Sequence, residues 1–135
     1  MAANNYQVGG SHYQQMHYQP WDYIVRCRIR FLEGCVLRYV VRCLKKNGAQ
    51  DLEKARHFLA KIVELYHGGD YAPGYLAHES LETVCLLEYA AFCNENELAD
   101  WQRSAVHTLT AWIAEHQLLA LDETLRNVLE SMRGA

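Results

Sequence analysis

From Pro20 onward, apolar residues recur three and four positions apart, and short polar or glycine-containing breaks divide them into six helical stretches. Pro20 suits the first position of a helix over about Trp21–Arg28, because its fixed φ is already helical. A second helix is predicted from Phe31 to Lys46, with Phe31, Cys35, Leu37, Val40, Val41 and Leu44 as its buried face and Asn47-Gly48 as its left-handed stop. Asp51 reads as the N-cap of a third helix, Leu52 to Tyr66, burying Leu52, Ala55, Leu59, Ile62, Val63 and Tyr66; His67-Gly68-Gly69 closes it.

The glycines and Pro73 between Gly68 and Gly74 mark a hinge between two halves, residues 1–67 and 71–135. Three more helices follow, over about Leu76–Cys93, Glu97–Glu115 and Leu118–Met132, broken at Asn94-Glu95-Asn96 and near His116-Gln117. Met1 to Gln19 has no helical period and reads as an extended arm. The fold class is all-α: a small helical bundle with an N-terminal arm, its C-terminal helices packed on the first half as one compact domain.

A chain of 135 residues, half of them hydrophobic, suffices for one core. No apolar run approaches the roughly 20 residues of a membrane span, and the first ten residues lack signal-peptide blocks, so a cytoplasmic protein is expected. Five cysteines with no C-x-x-C pair argue for reduced thiols. Cys27, Cys35 and Cys43 recur every eight residues, as do Cys85 and Cys93, a spacing that suits one buried helix face. The net charge of −3 excludes a generally basic binder of duplex nucleic acid. It conceals a local contrast: Arg26 to Lys46 carries seven basic residues and one acid, Glu33.

The usual phosphate loops and the H-E-x-x-H metal motif are absent, and no metal site is expected. Arg38 and Arg42 share a helix face, with Lys45 a turn further, so three cations can converge on one anion. Tyr39 lies beside them, and Ser11, His12 and Tyr13 on the arm could close over the helix and sandwich a base. Trp21, Lys46 and Lys54 complete the expected nucleotide contacts. The plain alternative is a solvated charged face, neutralised by Asp51 or Glu53.

The segments Gly9-Gly10-Ser11-His12-Tyr13, Gln19-Pro20-Trp21-Asp22-Tyr23-Ile24, Phe31 to Arg42, Lys46-Asn47-Gly48 and Asp51-Leu52-Glu53-Lys54-Ala55 carry a resemblance. Over about residues 8–66 the chain resembles a family of small phage proteins, long catalogued as a domain of unknown function and often labelled nucleotide kinase, whose members lack a P-loop. The resemblance implies a helical phage protein that handles nucleotides, with His12, Tyr13, Tyr39, Arg42, Lys45, Asp51 and Lys54 on the family's matching positions. One departure is Gly34-Cys35 where the family has Gly-Asn, which exchanges a donating and accepting amide for a weakly polar thiol.

Three readings follow. The first is a homo-oligomeric protein of the infected bacterial cytoplasm, needing no cofactor, that sequesters a nucleotide second messenger of the cyclic oligonucleotide type and so blunts host antiviral signalling. The second is a nucleoside monophosphate kinase using Mg and ATP, with His12, Arg42 and Asp51 as catalytic residues. The third is an assembly module without a ligand. The Cys35 exchange, the extra arginines and the extra C-terminal helices favour sequestration, whereas the label of the resembling family favours the kinase.

Overall fold

The computed structural model describes residues 16–45, 47–74 and 82–134, excluding the side chains of residues 82 and 83; it is all-helical, with six helices and no strand among them. The helices are α1 (Pro20–Arg26), α2 (Phe31–Arg42), α3 (Gly48–His67), α4 (Glu82–Glu95), α5 (Asp100–Ala111) and α6 (Glu115–Gly134). Pro20 opens α1 as expected. The arm before Met16 and the residues 75–81 expected to begin the fourth helix lie outside the described residues.

α2 and α3 form an antiparallel hairpin that carries much of the core. Val36, Leu37, Val40 and Val41 face Leu52, Ala55, Leu59 and Ile62, all essentially without solvent contact. Two expected core residues fall outside: Phe31 is 76% exposed and Leu44 55%. Phe31 heads the first turn of α2 and Leu44 follows its end, so neither sits where the hairpin partner covers it.

α2 stops at Arg42, earlier than its periodicity suggested, and Asn47-Gly48 begins α3 rather than ending α2. The reason lies in its final carbonyls, which a helix leaves without intrahelical partners. The Val40 carbonyl accepts from the Cys43 thiol (3.2 Å) and from Nε2 of Gln102 on α5 (3.0 Å), while the Arg42 carbonyl accepts from the Lys45 N–H (2.9 Å). A tertiary donor satisfies what another helical turn would have satisfied. Asp51 correspondingly lies within the first turns of α3 and is not its N-cap. The end of α3 follows expectation: the Gly68, Gly69 and Asp70 N–H groups return to α3 carbonyls, with Gly69 at φ 79°.

The halves interleave. α1 packs on α4, α2 on α5, and α3 on α6. Tyr18, just before α1, is held by Asn96 through reciprocal bonds: the Tyr18 N–H donates to Oδ1 (3.1 Å) and Nδ2 donates to the Tyr18 carbonyl (2.8 Å). On the α3–α6 side, Arg56 makes a two-pronged pair with Asp122 at 2.9 and 3.2 Å.

The segment expected as a hinge is pinned by Glu33. This carboxylate, buried at the start of α2, accepts from Arg30 Nη2 (2.6 Å), from the Tyr71 hydroxyl (2.5 Å) and from Trp112 Nε1 (3.0 Å). The Arg30 guanidinium also lies over the Tyr71 ring, 4.0 Å from its centroid. A buried carboxylate costs free energy unless paired and hydrogen-bonded, so these three donors are a condition of its burial. Removing it strands a buried indole N–H and leaves Arg30 and Tyr71 unanchored. Glu33→Ala should therefore cost about 2–4 kcal/mol in urea unfolding, and Glu33→Gln less, because one acceptor oxygen remains. A loss below about 1 kcal/mol for the alanine variant would show that water replaces the carboxylate at little cost.

All five cysteines are buried free thiols, as their spacing predicted. Burial, with Asp51 nearby, pushes the Cys43 thiol up from its ordinary 9.0 to about 12; burial chiefly, and then neighbouring Cys85, raises Cys27 as well. A folded-state pKa above the unfolded value means the native state holds the proton longer, so stability falls as pH rises from about 9 toward 12. Each thiol should contribute up to about 1.4 kcal/mol of loss per pH unit in that window. Urea midpoints that stay level between about pH 8 and pH 10.5 would show that these thiols ionise without opening the core.

Candidate functional site

The α2–α3 turn is centred between positions 46 and 47, and reflection across it sets Arg42 opposite Asp51 and Tyr39 opposite Lys54. The side chains meet accordingly. Arg42 donates from Nε to Asp51 Oδ2 at 3.1 Å and from Nη2 to Oδ1 at 2.9 Å, a two-pronged pair with the carboxylate wholly buried. The same guanidinium lies over the Tyr39 ring at 4.9 Å, and the Lys54 ammonium stands 5.5 Å from that ring's centre. Tyr39 in turn stacks on Phe58, one turn along α3 from Lys54, with centroids 5.9 Å apart and planes 18° off parallel. Both rings are partly buried on the flank of the core.

The result is an aromatic pair carrying two cations, one locked and one mobile. The planar guanidinium is fixed by the buried carboxylate, as bidentate geometry allows. Lys54 reaches the ring on a flexible stem from the exposed side of α3. Arg38 and Lys45 add exposed positive charge, and among the described residues neither they nor Lys54 form an ion pair. Nearby Glu53 pairs instead with Arg133.

Of the expected nucleotide contacts, Tyr39, Arg42 and Lys54 come together directly. Arg38 lies on the exposed side of α2, and Lys45 is in the turn after it rather than on a continuing helical face. Trp21 is half exposed on α1, which meets α2 where Ile24 packs against Gly34, near the other end of α2 from Arg42. Ser11, His12, Tyr13 and Lys46 lie outside the described residues.

Asp51 is shielded from solvent with both oxygens on Arg42, an arrangement that positions the arginine and leaves no open face toward a substrate hydroxyl. Cys35, at the position where the resembling family carries asparagine, is buried; burial raises its thiol pKa and the Arg38 charge opposes that rise. A neutral thiol in the core is no ligand to a phosphate.

Sequence reading missed Phe58 as the partner of Tyr39, whereas the neutralisation by Asp51 that the plain alternative offered is met at Arg42, in a buried pair. The available signal was the reflection across the hairpin turn. It also missed a cavity of about 180 Å³ between α5 and α6, lined by Ser104, Thr108, His116, Gln117 and Thr124 among others. That volume is below the roughly 300 Å³ at which small-molecule sites begin. No group of three or more metal-ligating side chains occurs among the described residues, and no helix there is long and apolar enough to cross a membrane.

A model of a protein family of unknown function, DUF3310, matches residues 8–60. This stretch is under half of the chain, but it contains Tyr39, Arg42, Asp51, Lys54 and Phe58 together. α4, α5 and α6 lie outside it. No curated protein and no solved structure matches the chain.

The buried pair generates a direct expectation. Asp51→Asn keeps the shape but leaves the Arg42 guanidinium, 14% exposed, without its counter-charge. We expect a loss of about 2–4 kcal/mol by urea unfolding. A loss under about 1 kcal/mol would mean that Arg42 relaxes to solvent and that Asp51 does not hold it in place.

Proposed function

We propose that this chain binds a nucleotide on the α2–α3 hairpin and sequesters it unchanged, as a homo-oligomeric phage protein that blunts nucleotide signalling in an infected bacterial cell. The observation that supports this reading is the Tyr39–Phe58 stack, carrying Arg42 and Lys54 beside exposed Arg38 and Lys45. Aromatic faces receive bases largely without regard to identity, while arginine and lysine receive phosphates. A cyclic oligonucleotide presents both groups. Binding would displace the mobile Lys54 from the ring and leave Arg42 where Asp51 holds it.

Ser11, His12, Tyr13 and Lys46 complete the proposed contacts, Trp21 lying toward the other end of α2, and no metal or cofactor is required. Transfer of a phosphoryl group from Mg-ATP would need a proton acceptor and metal ligands, and Asp51 is already committed to Arg42. The kinase alternative is therefore the other outcome of the test and not a parallel proposal.

The test incubates the purified protein with individual cyclic and linear nucleotides, with and without Mg-ATP, and chromatographs the free pool before and after heat denaturation. We expect one nucleotide class to vanish from the free pool and return unchanged on heating, with ATP untouched. Tyr39→Leu and Lys54→Ala should each weaken capture about tenfold or more while keeping the native helix signal. Conversion of ATP to ADP with a new diphosphate product would replace this reading with the kinase. No depletion of any nucleotide would leave an assembly module.

A further inference from the structure

α4 is apolar nearly all the way round, a pattern that belongs to a helix covered on every side. Among the described residues only one side is covered. Cys85, Phe92 and Cys93 face the core, whereas Leu87 is 70% exposed, Leu86 56% and Val84 44%, with Ala90 exposed beside them. α1 lies antiparallel along one flank of α4: the Cys85 thiol reaches the Cys27 carbonyl at 3.9 Å, and Tyr23 stacks on Phe92 with centroids 4.7 Å apart. The outer seam between the two helices is neutralised by Arg26 and Glu88, 3.6 Å apart. Val25, 74% exposed, stands on the outer side of α1. With Trp21 on α1, five of the nine large exposed hydrophobic residues among the described residues thus fall on these two helices.

We propose that a second copy of this chain covers the layer, in a twofold dimer with the two α4 helices antiparallel. Size complementarity supports the occupant and its direction. Along α4 the large, exposed Leu87 is followed one turn later by the small, exposed Ala90. An antiparallel twofold centred between Glu88 and Tyr89 sets Leu87 on the partner's Ala90, large against small; a parallel pair would set large on large. Isologous twofold contacts require this kind of self-complementarity.

Charge supports the same direction. The N-terminal end of α4 lies beside the end of α1, where exposed Arg28 stands, and the other end of α4 carries exposed Glu95 and Glu97. Antiparallel pairing brings exposed Arg28 of each copy toward exposed Glu95 of the other, with Glu82 at the start of α4 and Arg103 beside Asn94 offsetting part of the charge at each end. A dimer held by this one face is expected at micromolar affinity. This assignment is independent of what the α2–α3 hairpin binds.

Sedimentation velocity from about 1 to 100 µM tests it. The wild-type chain should shift from monomer to dimer across that range, and Leu87→Glu or Ala90→Arg should each weaken association by about 100-fold or more. Both positions face outward, so an unchanged circular dichroism spectrum and melting temperature certify that either variant still folds. Arg28→Glu should weaken the dimer by roughly three- to tenfold, and Arg28→Glu with Glu95→Arg should restore it. A wild-type monomer at about 100 µM overturns the proposal, whether residues outside the described set cover the face or nothing does. So does a dimer that survives both Leu87→Glu and Ala90→Arg. Failure of the double charge reversal to restore association overturns the antiparallel arrangement.

Discussion

Glu33 carries a negative charge into a core that offers it no water, and the donors it recruits there decide how the two halves of the chain meet. Arg30 arrives from just before α2, Tyr71 from the segment after α3, and Trp112 from the end of α5. The three are remote in sequence and converge only because the carboxylate must be satisfied. Trp112 then sets its ring edge-on to Tyr66 near the end of α3, with centroids 5.6 Å apart. One buried charge thereby ties the start of α2, the exit from α3 and the end of α5 into a single frame.

That frame holds the α2–α3 hairpin still. The end of α2 is anchored by Gln102, whose amide serves the Val40 carbonyl while its own oxygen accepts the Ala99 N–H at 2.9 Å. Arg42 is the last residue of α2 and Asp51 lies in the first turns of α3, so the ion pair spans the turn and fixes where the guanidinium sits above Tyr39. An arginine held by a buried carboxylate loses little further freedom when an anion or a ring docks beside it, which is the physical advantage of preorganisation. The C-terminal helices, outside the stretch matched by the family of unknown function, supply Gln102 and Trp112 and so act on the hairpin from behind.

The same helices leave an apolar α4 partly bare. An apolar face that neither closes the core nor carries charge is costly in water and tends to mark a contact. The succession of large Leu87 and small Ala90 on it is a property of a surface that can meet its own copy. The hairpin and the α1–α4 layer are therefore read as separate surfaces, one polar and aromatic, the other aliphatic.

The amino-acid sequence by itself determined the helical class, the thiol core, the helical opening at Pro20 and the stop after His67. Each depends on local periodicity or on the backbone preference of one or two residues. It also placed Tyr39, Arg42 and Lys54 among the candidates, because cations and aromatic residues cluster in that stretch. Only the tertiary structure decided where α2 ends, since Gln102 on a distant helix completes its last carbonyls. It alone decided that Asp51 serves Arg42 and is no helix cap, that Phe31 and Leu44 face solvent, and that the glycine-rich segment after α3 is pinned through Tyr71. Buried polar groups and ion pairs take their partners from whatever the fold brings within about 3 Å, and periodicity along the chain carries no record of those distances.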